Sequence, residues 1–223
     1  MSDAPSTALT RRRALGLGAG LVAGAALWDG GTTTASAAGR TWRSGTTANG
    51  WPVVDDAPSH RVEGACGVEV PLLDGDVATV LLYVARRFTY EIDMLRPGDV
   101  QGHTTDRHTG AAFESNRLSG TAVTIRPLFY PLGAQRDTGM SEQERTVVRD
   151  ILADCAGVVA WGGDLKPVKE SHFQIDVPPG DARLSALAAR VRGWNDTPGQ
   201  GAGTIDAFAP ARVRRAGKAT AAR

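Results

Sequence analysis

Cysteine is nearly missing from this chain, with only Cys66 and Cys155 among 223 residues. That excludes a disulfide-dense mini-scaffold and a four-cysteine zinc site. Histidine is scarce as well, and His60, His103, His108 and His172 cap how rich any metal centre can be. An excess of one charge is also lacking. Lys and Arg number 25 against 24 Asp and Glu, a formal +1, so no global field argues for nucleic acid as a partner. No apolar run reaches the about 20 residues of a bilayer span. What remains is 42% hydrophobic and 22% charged. This is too apolar for wholesale disorder, and the length suits one domain with tails.

The first 37 residues read as an address. Arg11-Arg12-Arg13 precedes a Gly-rich apolar stretch from Ala14 to Trp28, and small residues follow at Ala35-Ser36-Ala37. A cationic start, a mildly apolar middle and a small-residue cleavage site make an export signal of the twin-arginine type. The expectation is an exported, extracellular or cell-wall-associated protein cut after Ala37. An uncleaved signal is the alternative, and the chain's expected route to a membrane. Residues 38–59, punctuated by Gly39, Gly45, Gly50, Pro52 and Pro58, read as an irregular arm. A domain is expected over 60–196, and a loop with a basic tail over 197–223. The tail after Ala209 carries Arg212, Arg214, Arg215, Lys218 and Arg223 with no acid. Such a tail can touch anionic wall polymer or lipid, but its Ala/Arg/Lys composition reads first as disorder. Export would permit a Cys66–Cys155 disulfide, which spacing alone leaves open.

Within the domain, Val77, Val80, Leu81, Val84 and Phe88 recur at three and four residues, predicting a helix over 76–90 with one buried face. Arg86-Arg87 on that helix reads as a solvated face. Ser141-Glu142-Gln143-Glu144 matches a capping box and starts a helix to about Cys155. A third helix is expected from Asp181 to Trp194. Strand-like segments fall at 120–127, 157–161 and 172–178. Helices and strands mix without a βαβ rhythm, which predicts an α+β fold with a small antiparallel sheet and helices packed around it.

Two segments carry a family resemblance. One is Glu114-Ser-Asn-Arg117-Leu-Ser-Gly120-Thr-Ala122-Val-Thr124, and the other is Trp161-Gly-Gly-Asp164 followed by Ser171-His172-Phe173-Gln174. Together they resemble the zinc D,D-peptidases of bacterial cell walls, the D-alanyl-D-alanine carboxypeptidases and dipeptidases of hedgehog-like fold. That family writes Ser-x-His-x-x-Gly-x-Ala-x-Asp at the first segment. At the second it writes Trp-Gly-Gly-Asp, and then an acid three residues before a His-Phe pair. The resemblance implies three zinc ligands, a zinc-bound water and a carboxylate base.

This chain departs from the pattern where the chemistry lies. Arg117 stands at the first ligand position, and guanidinium offers no lone pair to a cation. Thr124 stands at the second, and Lys169 at the base, with Glu170 shifted onto the opposite side of an extended segment. Only His172 matches. The resemblance therefore implies a peptidase-like protein without zinc catalysis and without a cofactor. Arg117, Ser119, Thr124, Asp164 and His172 would line a site for the carboxylate end of a peptidoglycan stem peptide, with Arg117 as a two-pronged clamp. Against this, Arg117 can pair internally with Asp164 or Glu114. An active zinc carboxypeptidase with a relocated metal on His103, Asp106 and His172 is a second reading. A structural or interaction protein with a filled cleft is a third. A serine nucleophile from Ser115, Ser119 or Ser171 beside His172 lacks the usual elbow and orienting acid.

Overall fold

The computed structural model describes residues 39–134 and 138–222, so the predicted export signal lies outside the described residues. Short strands open the chain. β1 (Arg40–Thr41) pairs with β5 (His108–Thr109), and β2 (Ser59–Arg61) with β3 (Glu69–Pro71). A four-stranded antiparallel sheet follows from β4 (Val100–Gln101), β6 (Ala122–Ile125), β7 (Val159–Trp161) and β8 (His172–Ile175), in the order β4-β6-β8-β7. The fold is thus mixed α+β, with small antiparallel sheets.

The period of two sorts this sheet into two unlike faces. Val123, Ile125, Phe173, Ile175, Val159 and Trp161 point into the apolar core. There they meet α1 (Asp76–Glu91), whose Val80, Leu81, Val84 and Phe88 are fully buried. The opposite face carries Ala122, Thr124, His172 and Gln174, and a 3-10 helix over Ala112–Ser119 packs beside it. Gly120 ends that 3-10 helix at φ 67°, where its N–H returns to the Arg117 carbonyl and the chain turns into β6. A Cβ there would also stand 2.6 Å from the Leu73 backbone nitrogen, so the turn needs glycine twice over.

Two further helices form as the sequence predicts. α2 (Glu142–Asp154) starts on the capping box, with Ser141 Oγ accepting from Glu144 N and Glu144 Oε2 accepting from Ser141 N. α3 (Ala182–Asp196) is capped by Asp181 and packs on α1 through Leu184, Leu187, Ala188 and Val191.

Two expectations are corrected, and one pairing left open by the sequence is decided. The basic tail is not disordered: α4 (Pro210–Ala221) lies along α2. The reason is charge. Asp150 and Asp154 are buried on α2, and Arg212 and Arg215 reach them from α4, Arg212 Nη2 at 2.7 and 2.6 Å. Arg87 is not on a solvated face. Its side chain is 0% exposed and donates to Asp150 and Asp154, each at 2.7 Å, and to Glu91 and Tyr83. Arg86 is also buried, on Glu63 at 2.6 Å. Helical periodicity marks which face is apolar, not which charges a neighbouring helix will neutralise. Cys66 is exposed and Cys155 lies in the core, so no disulfide joins them.

Candidate functional site

The polar face of the four-stranded sheet brings together the positions that the two segments supply. Thr124 on β6 stands directly opposite His172 on β8. The flanking bonds, Ile125 N to Ser171 O at 2.7 Å and Ile175 N to Thr121 O at 2.9 Å, make this a pair without mutual backbone bonds. Such pairs bring side chains closest, with Cα atoms about 4.5 Å apart. Both residues are fully buried. Thr124 Oγ1 and His172 Nδ1 have no hydrogen-bond partner among the described residues.

The other ring nitrogen of His172 is spoken for. Nε2 lies 3.0 Å from Gln174 Oε1, two residues along the same strand face. Gln174 Nε2 donates to the Asp176 carboxylate at 3.2 Å, which fixes the amide with its oxygen toward the imidazole. Gln174 Oε1 also accepts from Asn116 Nδ2 at 2.8 Å. His172 therefore donates from Nε2 and leaves Nδ1 as a bare lone pair. Burial, with the nearby Lys169 and Arg117 charges adding to it, pulls the imidazole down to about 4, so it is neutral at physiological pH. Phe113 lies against the ring, centroids 4.8 Å apart.

Arg117 is half-buried, and its Nε donates to Gly102 O at 2.8 Å. It forms no ion pair with Asp164 or Glu114. Burial holds its pKa below the ordinary arginine value, opposed by the more distant charges of Glu114 and Asp106. Glu114 is taken by others: one carboxylate oxygen meets Lys169 Nζ, and the second accepts from Gly110 N at 2.6 Å and Ala111 N at 3.1 Å. Burial pushes the Glu114 carboxyl up, but these donors outweigh it and hold it below the usual range. Arg117 and Lys169 thus stand against Glu114 and, further off, Asp106, beside a neutral imidazole.

Two of the expected site residues point elsewhere. Ser119 is fully buried in a hydroxyl network, donating to Asn116 O at 2.9 Å and lying 2.8 Å from Thr121 Oγ1 and 3.3 Å from Thr47 Oγ1. Asp164 forms a two-pronged pair with Arg149, both bonds 2.5 Å, and Arg149 stacks on Trp161. Asp164 is therefore neutralised at the surface rather than at the Thr124–His172 pair.

The relocated metal set does not assemble. His103 Nε2 meets Val54 O at 3.0 Å, while His108 Nδ1 and Asp106 pair with each other at 2.8 Å in solvent. Among the described residues, no group of three His, Cys, Asp or Glu converges. Glu170 points away to Arg145 Nε and Met140 N, at 2.7 and 2.6 Å. The serines are occupied too: Ser171 Oγ donates to Tyr130 O and Ser115 Oγ to Ala112 O, both at 2.7 Å.

Sequence reading missed the Glu114–Lys169 bridge and the Gln174 relay. Strand alternation places Gln174 beside His172, so that signal was present. The bridge spans 55 positions and had none. Also missed was the grip of the arm. Ala48 N donates to Ser115 Oγ, Asn49 N to Asn116 Oδ1 and Val54 N to Leu118 O, each at 3.0 Å. No family model, curated protein or solved structure matches this chain.

Proposed function

We propose that this chain is an exported domain, similar in its motif frame to the D,D-peptidases of hedgehog-like fold, that binds the carboxylate end of a peptidoglycan-type stem peptide without cutting it. The observation that carries this is Arg117. Its Nε is anchored on Gly102 O, while no acid among the described residues pairs with its terminal nitrogens. A guanidinium so held is poised for a two-pronged carboxylate bond. The bare Thr124 Oγ1 and His172 Nδ1 support the same reading, since buried polar atoms are nearly always satisfied: the hydroxyl can donate to a carboxylate, and the imidazole lone pair can accept the peptide N–H beside it. Cleavage lacks support because guanidinium, hydroxyl and ammonium occupy the places of two ligands and the base.

Calorimetry with a peptide ending in D-Ala-D-Ala tests the proposal. The expected result is saturable binding without release of D-Ala, weakened at least about tenfold in Arg117→Ala, in line with loss of a charge-assisted bond. Added Zn²⁺ is expected to leave the melting temperature unchanged. Chelator-sensitive release of D-Ala, lost in His172→Ala, would replace the proposal with an active metallopeptidase. A second reading, an interaction domain whose cleft is filled, is favoured by the arm bonded across Ser115, Asn116 and Leu118. Absence of peptide binding by the folded protein would select it.

A further inference from the structure

α4 has two faces, and the fold uses only one of them. Arg212 and Arg215 turn inward to the buried carboxylates of α2, and Ala216 is buried between the helices. Pro210, Val213, Arg214, Gly217, Lys218 and Ala221 recur at three and four residues, and all are exposed. Arg214 and Lys218 stand one turn apart, and neither enters an ion pair with any described residue. Like charges at this spacing repel, and no acid follows Asp206 to offset them. Two large apolar side chains of the same segment also stand in solvent: Val213, next to Arg214, at 44% exposure, and Phe208, two residues before the helix, at 53%.

We propose that the outward face of α4 docks on an anionic lipid surface. The cations would lie over the phosphate headgroups, with Phe208 and Val213 entering the interface. Charge complementarity selects an anionic partner, because the face is basic and acid-free. The apolar pair selects a bilayer over a soluble polyanion, which would leave Phe208 and Val213 in water. α4 is already folded and held by its inner arginines, so docking requires no ordering of a free tail. No helix among the described residues is long and apolar enough to span a bilayer.

Co-sedimentation of the full chain with vesicles tests this. Vesicles of phosphatidylcholine with one third phosphatidylglycerol, at low salt, are expected to bind the protein, and pure phosphatidylcholine to bind it far less. Arg214→Gln with Lys218→Gln should lower the affinity about thirtyfold, two surface cations' worth. Phe208→Ser with Val213→Ser should lower it severalfold. All four side chains are exposed, so circular dichroism and melting temperature should not change. Equal binding to neutral vesicles, or binding unchanged in both double variants, overturns the proposal. The second result would place the contact on another part of the chain. If the Phe208 and Val213 variant loses nothing while poly(glycerol phosphate) competes fully, the face binds a soluble polyanion and the bilayer assignment fails.

Discussion

The imidazole of His172 is where burial has its clearest chemical consequence. Its folded value, pulled to about 4 by desolvation, lies below the about 6.5 of an unfolded chain. Between those values the unfolded state takes a proton that the native state refuses. Stability is therefore full above about pH 6.5 and falls as pH drops toward 4, by up to about 3 kcal/mol. Urea denaturation across pH 4–7 should show this slope, and His172→Gln should flatten it. Glu114 and Asp154 are held below their ordinary values, so their contributions fade only at lower pH. Arg117 shows the limit of reading one residue at a time. Its type excludes a metal ligand, but only its surroundings show that the nearest acid is committed to Lys169.

Among the elements, α4 changes most between expectation and structure. It is short, basic and uncapped by any side chain, and such a helix is marginal in isolation. Docking on α2 supplies what local propensity does not. Arg212→Ala should cost about 2–3 kcal/mol, because Asp150 and Asp154 are buried and lose part of their compensation. Chemical denaturation would measure it, and an unchanged midpoint would mean that Arg87 and Arg215 suffice alone. The turn between the 3-10 helix and β6 has a different vulnerability. Gly120→Ala combines a positive φ with a close approach to Leu73 N. It should destabilise by about 1–3 kcal/mol and broaden the signals of Thr124 and His172, which that turn positions.

For the whole molecule, the question is whether the peptidase-like motif frame describes three-dimensional neighbours. Thr124 and His172 stand side by side on one sheet face, and Arg117 and Lys169 are close enough to shift the His172 imidazole. Replacing Arg117→His, Thr124→Asp and Lys169→Glu together should therefore create zinc uptake at about one ion per chain, read by elemental analysis. Failure of a folded triple variant to take up zinc would count against the resemblance. Turnover is a separate matter, since Gln174, Asn116 and the arm fix His172 in a bonding pattern of their own.

The sequence alone determined α1, α2, α3 and three of the four strands of the larger sheet. Periodicity and capping are local properties, written within a few residues of where they act. It also determined that Arg117 cannot serve as a metal ligand, since residue type limits what a side chain can coordinate. Tertiary structure decided the rest: the burial of Arg87, the docking of α4, the diversion of Asp164 to Arg149 and the locking of Glu114 onto Lys169. Each is a pairing of charges between different elements, 15 to 67 positions apart, and charge gives no periodic signal. Which acid meets which base is settled only when packing removes water from between them.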